Sequence, residues 1–174
     1  MRAFAIAVII SATASSAFAA ALPELIAPAG EGMLQCYSPD TSRKTCRSLA
    51  GYGAGPNGRI DNIAVVLISA DSPVTMETVT PVEVKGRQVC GRISSQDIDA
   101  AKFQIGGAPA DPTLAASLRE SVKHALQGMF GKEICTTFVQ DGEAVIARGT
   151  ADGERLTDQR VIWVSPEDGY LVGP

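Results

Sequence analysis

The stretch from Gly131 to Pro166, GKEICTTFVQDGEAVIARGTADGERLTDQRVIWVSP, restricts the architecture more than any other part of the chain. Ile134, Thr136 and Phe138 alternate with Cys135, Thr137 and Val139, the period of a strand with two unlike faces. Asp141-Gly142 then supplies the positive φ angles of a tight hairpin turn, and Asp152-Gly153 repeats the signal. Glu143 to Gly149 reads as the returning strand, and Arg160 to Val164 as the last long one. The stretch is therefore a three-stranded antiparallel unit.

An echo of this unit lies earlier, in RKTCRSL followed by NGRIDNIAVVLIS. Lys44-Thr45-Cys46 aligns with Lys132 to Cys135, and Asn57 to Ser69 with Asp152 to Ser165, each one residue out of step. No fixed period links them, so chance likeness of two β-rich segments competes with duplication into lobes of about 33–86 and 87–174.

The N-terminus carries an address. Arg2 precedes an apolar run from Ala3 to Ala14, and Ala17-Phe18-Ala19 has the small-x-small pattern of a signal-peptidase site. The expected organisation is a signal peptide at 1–19, an extended lead-in at 20–32 and a single domain at 33–174. Removing 19 of 174 residues leaves 155, enough to bury a substantial core. Beyond the signal, no apolar run is long enough for a transmembrane segment; the longest, Ile63 to Ile68, has strand length and reads as a buried central strand.

Cys36, Cys46, Cys90 and Cys135 all fall in the mature part, and an even count behind an export signal argues for disulfides. Four cysteines permit three connectivities. If the echo is real, the bridges are Cys36–Cys46 and Cys90–Cys135. The two clues agree on an exported protein, periplasmic or secreted. A formal net charge of −4, or −5 without Arg2, argues against a general nucleic-acid binder, which needs a basic face to replace phosphate counterions.

Between the β-rich ends, Ser94 can cap a helix over SSQDIDAAKF, and Asp111-Pro112 can start another over Thr113 to Phe130. Leu114, Leu118, Val122, Ala125 and Met129 form an apolar stripe on the second. Pro81 interrupts VTMETVTPVEV and favours a sheet edge or a break there. The fold class expected is α+β: antiparallel strands in one or two small sheets, a two-helix insertion at about 94–130, and two disulfides.

Chemical signatures are sparse. His124 is the only histidine and falls off the apolar stripe, so it reads as solvent-facing. No serine sits in a Gly-x-Ser-x-Gly elbow, and disulfides would remove the thiolates a cysteine nucleophile needs. One histidine and no Cys-x-x-Cys argue against a zinc site. Gly51 to Gly58 is glycine-rich but lacks the Lys-Ser/Thr end of a phosphate loop. No cofactor, metal or catalytic residue is thus assigned.

Carboxylates provide the enzymatic alternative, a small hydrolase using an acid pair. Asp97 and Asp99, Glu167 and Asp168, and Asp152 with Asp158 are the pairs available, and their spacing suits structural roles better. The binding candidates are Tyr37 and Tyr52 around Arg43, Lys44 and Arg47, together with Trp163 and Tyr170. Trp163 shares strand parity with Val161, which favours core packing. The leading expectation is a non-enzymatic binding or envelope-accessory protein for an unknown protein or carbohydrate partner. A subunit of a larger assembly, adding a strand at the edge near Pro81, is the third reading.

Overall fold

The computed structural model describes residues 22–142 and 144–174, so the expected signal sequence at 1–19 lies outside the described residues. The chain first forms β1 (Leu34–Tyr37), β2 (Thr45–Cys46), β3 (Ser48–Ala54), β4 (Ile60–Ser69), β5 (Val74–Lys85) and β6 (Gln88–Arg92). An insertion follows, with α1 (Ser95–Asp99), β7 (Lys102–Ile105), β8 (Ala108–Pro109) and α2 (Pro112–Leu126). β9 (Glu133–Asp141), β10 (Ala144–Ala151), β11 (Glu154–Arg155), β12 (Gln159–Val164) and β13 (Leu171–Val172) complete the described elements.

Eight strands close into an antiparallel barrel in the order β1, β3, β4, β5, β6, β9, β10, β12, with β12 returning to β1. The mainly antiparallel α+β class is present, but as a closed barrel rather than one or two small open sheets. Closure pairs Leu34 with Val164 and Tyr37 with Val161, which joins distant parts of the chain without any turn to announce it. It also removes the exposed edges that an open sheet would have to protect.

Strand parity assigns the faces. Following the register around the ring, Gln35, Tyr37, Ala50, Tyr52, Ala64, Val66, Met76, Val89, Phe138, Ala147, Val161 and Trp163 share one face, and it points inward. Glu83, Lys85 and Arg148 occupy the other face, where water solvates their charges. The Ile63 to Ile68 run alternates accordingly. Ala64, Val66 and Ile68 turn inward, while Ile63, 44% exposed, lies outside against Val79. It is therefore not buried on both faces, because a barrel strand has one wet side.

β5 is the longest strand and has two partners in turn on one side: Val74–Glu77 pairs with β7, and Val82–Lys85 with β6. Pro81 falls in the gap between them, where β5 is paired with β4 alone. The break expected there is thus a change of partner within a closed wall. Gly91 fits the same place, since a Cβ would lie 3.0 Å from the Pro81 carbonyl oxygen.

The insertion contains two helices and a small hairpin. α1 ends at Asp99, and Lys102–Ile105 forms a strand, so the helix expected over SSQDIDAAKF is shorter than its sequence pattern. Pairing with β5 places Phe103 opposite Met76, and both are buried; this tertiary contact overrides local helix propensity. The face of α2 against the barrel uses Ala115, Leu118, Val122 and Leu126. Leu114 and Ala125, expected on that stripe, are exposed. Arg119 fixes α2 in place: its guanidinium donates to the Ile98 and Ala101 carbonyls at 3.3 and 3.2 Å and lies 5.6 Å from the Phe103 ring centre.

Both disulfides are present, Cys36–Cys46 and Cys90–Cys135. Cys90 and Cys135 are directly opposite on β6 and β9, the strands between which the chain leaves for its insertion. The lead-in is not extended: Glu24–Glu31 forms 3-10 turns with Ile26 fully buried, which Pro23 and Pro28 permit by fixing φ.

Candidate functional site

The barrel interior opens into two separate cavities at its two ends. The upper one, about 630 Å³, lies where β4 and β5 meet the insertion. Ala64, Val66, Val74 and Met76 line its barrel wall, and Ile98, Leu118, Val122 and Leu126 its helical wall. No charged side chain lines it. Its one amide, Asn62, already donates to the Gly51 carbonyl at 3.1 Å, so that donor is satisfied by the main chain. The lining is therefore suited to apolar matter. A cavity of this size falls in the range of small-molecule sites, and eight strands enclose about enough room for one small ligand.

The lower cavity, about 570 Å³, lies at the end formed by the β5–β6 turn and the 3-10 segment. Phe138, Val145, Val161 and Trp163 make its apolar wall, while Pro23, Leu25 and Pro28 cover it from outside the barrel. Gln35 lines it from within, with Glu24, Arg87 and Gln140 nearer the solvent.

Gln35 brings two tyrosines together inside the barrel. It is 1% exposed and is the buried polar residue among those described. Tyr37 and Tyr52 both donate their hydroxyls to its Oε1 at 3.0 Å. Burial pushes the Tyr37 hydroxyl well above the usual tyrosine range, and the neighbouring Tyr52 adds to the effect. Burial likewise pushes Tyr52 up to about 12, partly offset by the neighbouring Tyr37 hydroxyl. Both phenols are thus neutral donors at any ordinary pH.

The residues expected to form one binding surface are divided. Tyr37, Tyr52 and Trp163 face into the barrel. Arg43 pairs with Asp40 at 2.8 Å in the exposed turn after β1, and Lys44 donates to the Asp168 carbonyl. Arg47 is also exposed. Tyr170 packs outside the barrel against the cluster of Cys36, Cys46 and Val164. No two aromatic members of the set lie on the basic turn.

The carboxylates considered for acid–base work hold local structure. Asp97 closes the capping box of α1 by accepting from the Ser94 amide at 2.7 Å, and Asp99 pairs with Lys123. Asp152 accepts from the Glu133 amide at 2.8 Å, Asp158 pairs with Arg155 at 2.9 Å, and Asp168 accepts from the Ser165 amide at 2.7 Å. His124 is exposed on α2.

Sequence reasoning passed over Gln35 and most of the cavity lining. In LQCY the apolar residues are Leu34 and Cys36, so alternation alone turns Gln35 outward. The structure reverses this phase because Cys46 of β2 and Tyr170 cover the outer face at Cys36, while the interior offers Gln35 two hydroxyl donors. Among the described residues, no helix is long and apolar enough to cross a membrane. Two disulfides are at home in an oxidising compartment. No protein-family model, curated protein or solved structure matches the chain, so its function is argued from this geometry.

Proposed function

We propose that this chain is an exported, non-enzymatic binding protein, periplasmic or secreted, that holds one small apolar molecule in the upper cavity. The observation that carries the reading is the uncharged lining between β4, β5, α1 and α2. The apolar ligand follows from energetics. Burying an unpaired carboxylate or ammonium there would cost several kcal/mol, whereas each buried methylene contributes about 0.8 kcal/mol. A hydrocarbon chain or compact ring fits these terms, and any charged end must remain at the mouth. The barrel and its two bridges supply a rigid wall, and the insertion supplies the cover.

The test is a titration with N-phenyl-1-naphthylamine, a neutral apolar dye that brightens on leaving water, followed by displacement with decane. One saturable site is expected, weakened at least tenfold when Ala64→Leu in the wall and Ala125→Leu on the solvent-exposed side of the lining together fill the space. Absence of a saturable site, or unchanged binding in the filled protein with its circular dichroism preserved, would overturn the reading. For the address, the mature protein should begin at Ala20 and carry no free thiol, as measured by intact mass on material purified without reductant.

A further inference from the structure

The lower cavity differs chemically from the upper one: it has charged groups at its rim and one buried polar side chain, Gln35, in its lining. Gln35 Oε1 is held by two tyrosine hydroxyls, while its Nε2 has no acceptor among the described residues. That nitrogen is not sealed inside the protein, since Asp158 Oδ1 is the fully buried polar atom without a partner there. Gln35 lines the lower cavity, and that space is where its remaining N–H donors can meet an acceptor. A buried donor is stabilised only when an acceptor meets it.

We propose that the lower cavity is a second ligand site, for a neutral carbonyl-bearing small molecule such as a lactone, ketone or amide. The carbonyl oxygen accepts from Gln35 Nε2, and the apolar body lies against Trp163, Phe138 and Val145. Charge decides between a carbonyl and a carboxylate. One neutral N–H does not compensate the desolvation of an anion. At the rim, Arg87 and Glu24 carry opposite charges and form no ion pair with each other, so they give no net preference for an anion. The site does not depend on the upper cavity, because the two share no lining residue.

Trp163 is the sole tryptophan of the chain and lies in this wall, so its emission reports on occupancy. The disulfide-intact protein is titrated with δ-decalactone and with 2-pentyltetrahydropyran, which has the same pentyl-substituted ring without the carbonyl. The lactone should shift Trp163 emission saturably, and the ether should bind roughly fivefold more weakly, the worth of one neutral hydrogen bond. Val145→Phe fills the cavity without touching Gln35 and should abolish both responses while leaving dye binding in the upper cavity intact. Gln35→Met should equalise the two probes. Equal binding of lactone and ether to the native protein, no saturable Trp163 response, or a response that survives Val145→Phe would each overturn the proposal. Failure of the dye experiment alone would not affect it.

Discussion

Gln35 is the residue on which the interior depends. Its oxygen takes two hydroxyls that would otherwise be buried without partners. Replacing it by Leu should therefore destabilise the protein by about 2–4 kcal/mol, through two stranded tyrosines rather than through lost volume. Denaturant unfolding of Gln35→Leu checks this, and a loss below about 1 kcal/mol would sink it. The tyrosines also give a pH signature. Tyr52 is raised in the folded protein to about 12, against about 10 for an exposed phenol. A raised folded value means that the folded state keeps its proton while the unfolded chain releases one. The stabilisation is complete below pH about 10 and is lost as pH rises through the folded value. Stability of the native protein should fall more steeply over this range than that of a Tyr37→Phe, Tyr52→Phe variant, which has no buried phenol to titrate. Parallel curves would show that the two hydroxyls are not held as described.

At the scale of elements, the insertion and the bridge at its base form one device. Cys90–Cys135 clamps β6 to β9 across a sequence separation of 45, and Cys36–Cys46 spans only 10. Loop-closure entropy gives about 4 kcal/mol for the first and about 3 for the second. Cys90→Ala with Cys135→Ala should thus cost more stability than Cys36→Ala with Cys46→Ala, as compared by thermal unfolding. The reverse order would mean that the small bridge, which underlies β2 and β13, matters through packing instead. Arg119 holds the cover by two carbonyls and one ring. Arg119→Ala should speed amide hydrogen exchange in α1 and α2 by roughly tenfold, the effect of one to two weak charge-assisted contacts, without changing exchange in β9 and β10. Uniform acceleration would contradict this local role. The Asp152-Gly153 turn was legible in the sequence because turn chemistry is local, and both residues have positive φ. At Asp141-Gly142 the chain does reverse, but only Gly142 has positive φ, and Asp141 closes β9, pairing with Ala144. β7 was not legible, because Lys102–Ile105 is short and becomes a strand only by pairing with β5. Likewise the stripe on α2 was displaced from Leu114 to Ala115, since the helix rotates toward the barrel wall it covers.

For the whole molecule, cysteine count and strand alternation announced a disulfide-bridged, antiparallel fold, but nothing in them announced closure. A ring of strands is settled by which distant segments pair, and β1 meets β12 across nearly the whole folded chain. The cavities follow from closure and were hidden for the same reason. Ala64 on β4 and Leu118 on α2 become neighbours of one space only when the ring exists. The candidate aromatic residues do not share one surface with the basic turn, because parity carries Tyr37, Tyr52 and Trp163 inside, away from Arg43 and Lys44.

The seam between β1 and β12 has a bearing on how the protein is made. A chain emerging N-terminus first, from a ribosome or through a membrane pore, presents β1 long before β12 exists to pair with it. β13, which lies parallel to β2 through Leu171 and Thr45, arrives later still. Until then the ring has an open side and no sealed interior. Folding must wait for the last strands, and its rate is governed by long-range pairing, which places such topologies among the slow folders. Under the export proposed above, that delay would be useful: the same seam that completes the barrel would keep it from completing before the chain has crossed.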